Sequence, residues 1–122
     1  MFGKASSQRV GDISQEQYLY LTTRGRKSGR PREIEIWFTE RDGCYYVIAE
    51  YDTSHWLQNL RADPDAQVRV AEKSFSARAR VLTAENDAEI LGEIRAFSSS
   101  KYGWGEGTVV ELRPETSTKP AS

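Results

Sequence analysis

The chain has 122 residues, 38% of them hydrophobic and 29% charged, enough for one domain with its own core and unlike a disordered or fibrous composition. Its 17 basic and 18 acidic residues leave a net charge of −1, which argues against a general nucleic-acid binder. The lone Cys44 excludes an internal disulfide or a cysteine-rich zinc site, and the lone His55 excludes a histidine-built metal centre.

In chain order, residues 1–17 show little periodicity and are expected to form an N-terminal arm or a short helix. Residues 18–23 (YLYLTT) are aromatic, branched and threonine-rich, the composition of a strand. Residues 24–32 follow, with two glycines and a proline that predict a tight loop. In residues 33–39, Ile34, Ile36 and Phe38 alternate with Glu33 and Glu35, placing the apolar set on one face of a strand. Asp42-Gly43 predicts a type I′ hairpin turn into a returning strand, residues 44–49.

Ser54 is the expected N-cap of a short helix, with Trp56, Leu57 and Leu60 at helical spacing and Pro64 as its stop. Val68 and Val70, then Phe75, Ala77, Ala79 and Val81 after a turn at Glu72-Lys73, predict a second hairpin with one apolar face. Thr83 caps a longer helix over residues 84–97, with Glu85 and Asp87 at its positive end and Ile90, Leu91, Ile94 and Phe97 as its buried stripe. Residues 108–112 form a last strand, and residues 114–122 a flexible tail. Successive hairpins imply an antiparallel sheet, and closure into a barrel removes exposed edges.

Chemistry concentrates in the first loop. Arg24, Arg26, Lys27, Arg30 and Arg32 put five cations in nine residues without an acid, while the rest of the chain carries 12 basic and 18 acidic residues. Basic side chains beside glycine-freed amides suit a phosphate or carboxylate, and arginine can grip one through two parallel hydrogen bonds. The alternative is a solvated basic turn. The spacing fits neither a Walker loop nor a dinucleotide fingerprint.

The pattern Thr-Thr-x-Gly-Arg-Lys-Ser-Gly-x-Pro-Arg stands at residues 22–32, and Trp-x-x-Asn-Leu-x-Ala-x-Pro at residues 56–64. Together they resemble the deazaflavin-dependent nitroreductases, split β-barrel oxidoreductases related in fold to the pyridoxamine-phosphate oxidases. The resemblance implies a mainly β (α+β) split barrel over residues 18–113, of the FMN-binding type, with antiparallel strands, one short helix and one longer helix. It implies coenzyme F-420, with FMN as the alternative, and hydride transfer to a small electron-poor acceptor such as a quinone or nitro compound. By motif match, Arg26, Lys27, Ser28 and Arg32 hold the cofactor's phosphate and neighbouring polar groups. Trp56 and Asn59 flank it from the short helix, and the strand end at Ala49 presents backbone to the ring.

The sequence names no catalytic residue. His55 is either a proton donor or a surface residue at a helix start; Tyr51 and Tyr102 are either donors or packing residues. Ser28 lacks the partners of a hydrolytic nucleophile. Residues 101–107 (KYGWGEG) are either an aromatic flap or a turn into the last strand. Residues 50–55 carry two acids and no glycine, where the family usually has a longer glycine-rich segment. An acidic loop beside an anionic cofactor favours the alternative of a non-catalytic module that sequesters FMN or another planar anion. Trp37, Tyr45 and Tyr46 are the expected surface of a homodimer. No apolar run approaches the roughly 20 residues that span a bilayer, and residues 1–10 lack the apolar centre of a signal peptide. A cytoplasmic location is expected.

Overall fold

The computed structural model describes residues 18–115, so the expected N-terminal arm and most of the expected tail lie outside the described residues. Seven strands and two helices follow in order: β1 (Tyr18–Arg24), β2 (Pro31–Trp37), β3 (Thr39–Arg41), β4 (Cys44–Ala49), α1 (His55–Ala62), β5 (Asp65–Val70), β6 (Lys73–Val81), α2 (Ala84–Tyr102) and β7 (Thr108–Pro114). All seven strands join one antiparallel sheet in the order β2-β1-β5-β6-β7-β4-β3. β2 and β3 stand at its two edges, yet only Phe38 separates them in the chain. The sheet must therefore curl until its edges nearly meet. It becomes a barrel split along one seam.

This corrects the expectation of a single strand over residues 33–39 paired with its return. β2 pairs with β1, Leu21 opposite Ile34, and only Thr39–Arg41 turns back along β4. Alternation survives the break: Ile34 and Ile36 pack against the interior and Phe38 is fully buried. The crossing itself is clamped from the end of α2. Tyr102 Oη donates to the Phe38 carbonyl (2.8 Å) and accepts from the Phe38 N–H (3.0 Å), while Lys101 Nζ donates to the same carbonyl (3.1 Å). Tyr102 also stacks on Trp37, ring centroids 4.5 Å apart and planes within 5°. A side chain thus satisfies the peptide where no neighbouring strand can.

The hairpin turn is as expected, with φ of 53° at Asp42 and 80° at Gly43, both in the range a type I′ turn requires. The second hairpin turns one residue early, at Ala71-Glu72, with Ala71 at φ 53°. Pro64 stops α1, since the residue before a proline favours extended backbone and Asp63 has φ −146° and ψ 103°. Ser54 occupies the N-cap position but makes no side-chain cap; its hydroxyl donates to the Tyr51 carbonyl instead. Thr83 does cap α2, accepting from the Asn86 N–H.

One core fills the barrel, built from Leu19, Leu21, Phe38, Tyr45, Val47, Leu57, Val68, Val110 and their neighbours. A second lies between the outer sheet face and α2, with Cys44, Tyr46, Leu82, Leu91, Ile94 and Val109. β4 is buried on both faces because its alternate residues serve both cores. Tyr45 (5% exposed) and Tyr46 (2% exposed) are consequently unavailable to a partner copy, which removes two of the three residues expected at a dimer surface. α2 runs five residues past its expected end, and Ser98 rather than the exposed Phe97 completes its buried stripe.

Candidate functional site

The basic loop is built by its own backbone. The Gly25 N–H donates to the Arg30 carbonyl (2.8 Å) and the Gly29 N–H to the Gly25 carbonyl (2.7 Å). Ser28 Oγ accepts from the Arg30 N–H (3.1 Å), which leaves its hydroxyl proton for another acceptor. A Cβ at position 25 would stand 2.7 Å from Ser28 Oγ and 3.3 Å from the Arg30 carbonyl, so this tight a fold needs glycine there.

α1 holds the loop through Asn59, which is buried. Its Oδ1 accepts from the Arg26 N–H (3.2 Å) and from the Arg26 guanidinium (2.9 Å), and its Nδ2 donates to Thr23 Oγ1 (3.1 Å). The spacing of the second motif becomes legible here: one helical residue ties the end of β1 to the start of the loop. Arg24 is spent on the Gly29 carbonyl and on Asp63. Lys27, Arg30 and Arg32 have no ion pair or hydrogen bond through their side chains among the described residues. They are uncommitted positive charge.

A groove of about 730 Å³ opens between this loop and α1. Arg26, Lys27, Ser28 and Arg32 line one wall, Trp56, Asn59 and the exposed His55 the other. Six of the seven residues singled out from sequence therefore meet in one place. Ala49 does not line it. That residue is buried at the end of β4, pairs with Thr108, and its carbonyl faces Gly107 so closely that a Cβ there would stand 2.3 Å away.

A second cavity, about 620 Å³, adjoins the first and shares Trp56 as a wall. Its lining is aromatic: Tyr18, Trp37, Phe38, Tyr46, Tyr51 and Trp104, with Ile36 and Ile48. Sequence reasoning missed it because its walls come from β2, β4, α1 and the segment before β7, which meet only at the seam. The nearest signal was three tryptophans in a chain this short. Tyr51, 64% exposed, stands at its rim rather than packing the barrel. Thr39 also lines it, and the Thr39 hydroxyl is a buried side-chain polar atom without a hydrogen-bond partner among the described residues.

The glycine-rich segment contributes Trp104 to this cavity but is pinned in place. Ser98 Oγ donates to the Trp104 carbonyl (2.6 Å) and the Arg95 guanidinium to the Gly105 carbonyl (3.1 Å). Lys101 and Tyr102 belong to α2, and Gly105 is buried against the Arg95 carbonyl. The turn reading holds over the flap.

The acidic loop before α1 presents less negative charge than its composition suggests. Asp52 pairs with Arg61 (3.1 Å) and accepts from Thr108 Oγ1 (3.1 Å). The Arg61 bond, then the Thr108 bond, hold its carboxyl below the usual carboxylate range. Tyr102 ionises above its ordinary range because it is buried, although the Phe38 N–H, which donates to its oxygen, pulls the other way. Among the described residues no group of three or more His, Cys, Asp and Glu could hold a metal, and no helix is long and apolar enough to cross a membrane.

The two spaces differ in the chemistry they offer: uncommitted cations in the first suit an anionic group, and aromatic walls in the second suit a flat ring. Comparison with known proteins gives the family and the fold. A family model described as F420H(2)-dependent quinone reductase matches residues 2–111. An F420H(2)-dependent quinone reductase of Mycobacterium tuberculosis is 29% identical over 66 residues, 51% of this chain and 44% of that protein, so the match spans less than half of the relative. Among solved structures, an F420-H2 dependent reductase (FDR-A) superposes with a TM-score of 0.67 at 22% identity, covering 80% of this chain and 94% of that one. A putative pyridoxamine 5′-phosphate oxidase from Listeria innocua gives 0.65 at 17%, covering 91% and 94%. At such identities the superpositions show the fold alone, a split barrel of the pyridoxamine-phosphate oxidase type.

Proposed function

Because this chain belongs to the F420H(2)-dependent quinone reductase family, we propose that it binds the reduced deazaflavin coenzyme F-420 and reduces a quinone or similarly electron-poor acceptor. The family's cofactor is the deazaflavin, which when bound supplies the hydride. The observation that carries the reading is the pair of adjoining spaces, one basic and one aromatic, with Trp56 between them.

The chain's own residues divide the work. Lys27 and Arg32 neutralise the cofactor's anionic side chain, and Ser28 donates its remaining proton to the same group. Asn59 acts as a positioning residue: it fixes Arg26 and the loop so that these donors converge before any ligand arrives. Trp56 offers its face to the ring, and the aromatic cavity beyond it excludes water and takes the planar acceptor. Ala49 supports this arrangement through backbone, with Ile48 and Glu50 on either side of it reaching the aromatic cavity. FMN, the other cofactor candidate, presents the same phosphate chemistry to the loop. Of the two acids that favour the non-catalytic reading, Asp52 is committed to Arg61 and Thr108, which leaves Glu50.

The test is a fluorescence titration with coenzyme F-420 and, in parallel, FMN, followed by menadione reduction with the reduced coenzyme. Lys27→Ala with Arg32→Ala should weaken coenzyme binding by about 1–3 kcal/mol, roughly 5-fold to 150-fold, as charge-assisted bonds to an anion are lost. Stability should change by no more than about 0.5 kcal/mol, because both side chains are exposed. Wild-type protein with no saturable affinity for either cofactor would refute the reading. A cytoplasmic homodimer completes the proposal; light scattering tests the pairing, whose interface has Tyr18 and Trp37 to draw on rather than Tyr45 and Tyr46.

A further inference from the structure

The residues lining the aromatic cavity include two acidic ones, Glu35 on β2 and Glu50 just past β4, and neither lysine nor arginine. The basic groove next to it has the opposite balance, with Arg26, Lys27 and Arg32 against Glu33. Even that one acid is engaged, paired with Arg69 on β5 at 3.1 Å. Glu35, two residues along the same exposed face of β2, has no ion pair or side-chain hydrogen bond among the described residues, and neither has Glu50. Asp52, by contrast, is tied to Arg61. Among the residues that line the two spaces, the cations thus lie on one side of Trp56 and the unpaired acidic residues on the other; Lys101, bonded to the Phe38 carbonyl and set over the Phe38 ring, is the cation behind the aromatic wall.

We propose that Glu35 and Glu50 make the aromatic cavity select its acceptor by charge, admitting neutral planar molecules and turning away anionic ones. The proposal rests on the reading above, in which that cavity takes the acceptor. Its logic is separation of two ligands that are both flat. A planar anion belongs in the groove lined by Lys27 and Arg32; the two carboxylates discourage it from entering through the aromatic mouth and blocking turnover. An uncharged quinone feels little of either field and is held by aromatic contact alone. Two carboxylates taken at about 7 Å from an anion, acting through water, would together amount to roughly tenfold in kcat/KM.

The experiment compares kcat/KM for menadione and for a naphthoquinone sulfonate at saturating reduced coenzyme F-420, in wild type, Glu50→Gln and Glu35→Gln/Glu50→Gln. The readout is the neutral-to-anionic ratio within each protein, so a general loss of activity and the intrinsic reactivity of each acceptor cancel. The ratio should fall by roughly tenfold in the double variant and by a part of that in the single one. In wild type it should also fall between about 10 mM and about 1 M salt, as the screening length shrinks from about 30 Å to about 3 Å. A ratio that moves with neither salt nor substitution, while menadione is still reduced, overturns charge selection and leaves the function intact. If coenzyme binds and menadione is not reduced, the acceptor reading and this inference fall together.

Discussion

Replacing Asn59 with alanine removes three hydrogen bonds at one buried position, two to Arg26 and one to Thr23. The three are not equivalent. Arg26 is exposed, so its amide and guanidinium recover water when Asn59 is gone. The Thr23 hydroxyl belongs to a residue only 2% exposed and loses a donor that water cannot easily replace. Taking about 1 kcal/mol for each bond, adjusted upward for the enclosed one and downward for the solvated pair, gives a loss of about 2–3 kcal/mol. For a domain of this size that corresponds to a fall in Tm of about 10 °C. Cofactor affinity should weaken by about tenfold as well, because the loop then has to be ordered at the moment of binding. Urea unfolding followed by tryptophan fluorescence gives the first quantity and coenzyme titration the second. Thr23→Val in the Asn59→Ala background should cost about 1 kcal/mol less than it does in wild type, the signature of a shared bond. A Tm within about 2 °C of wild type together with unchanged affinity would show that the loop holds its shape without α1 and that Asn59 positions nothing.

Tyr102→Phe keeps the stack on Trp37 but removes its two hydrogen bonds to the Phe38 peptide, leaving Lys101 on the carbonyl, so urea unfolding should report a loss of about 1–2 kcal/mol and the Phe38 amide should exchange faster. Thr39→Val removes a buried hydroxyl that has no partner, and thermal unfolding should show the protein unchanged or more stable by about 1 kcal/mol. Tyr46 ionises at about 12 instead of its ordinary value of 10.0, because burial and then the bond to the Glu111 carboxylate oppose its charged form. Its contribution to stability is therefore whole below pH 10 and is lost as the pH rises through about 12. Denaturation midpoints between those values should decline less steeply in Tyr46→Phe; a residual slope is expected, since burial raises Tyr45 and Tyr102 too.

Local order was legible in the residues, and pairing partners were not. Alternation at Val68, Val70, Ala77 and Ala79 exposes a greasy face whatever lies beside it, and the Asp42-Gly43 turn follows from backbone preference alone. The same alternation runs through Ile34, Ile36 and Phe38 without a sign that the chain leaves one edge of the sheet and joins the other, because a period of two says nothing about which strand is adjacent. The end of α2 was missed for a related reason. Past Ile94 the buried side is completed by Ser98, and a serine inside a Ser-Ser-Ser-Lys run carries no apolar mark.

In the candidate site, the loop and the helix behind it could be read because each motif is contiguous. Gly25 and Ser28 need each other within four residues, and Asn59 sits at a spacing that only the second motif explains. The aromatic cavity could not be read, since Trp37, Ile48, Trp56 and Trp104 become neighbours only once the sheet has curled. Electrostatics behaved likewise. Asp52 and Glu50 look alike in sequence, and the fold spends one on Arg61 while leaving the other to face the cavity.

β7 is the last described strand in the chain but lies inside the sheet, between β6 and β4. During synthesis, the described strands before Thr108 lack the one that joins them, which leaves a four-stranded piece ending at β6 and the short β3–β4 hairpin, each with a raw edge. Such edges invite pairing with the wrong chain. A product terminated ahead of Thr108 would therefore be expected to aggregate rather than fold smaller, and chaperone dependence of the nascent polypeptide should end as that one segment emerges.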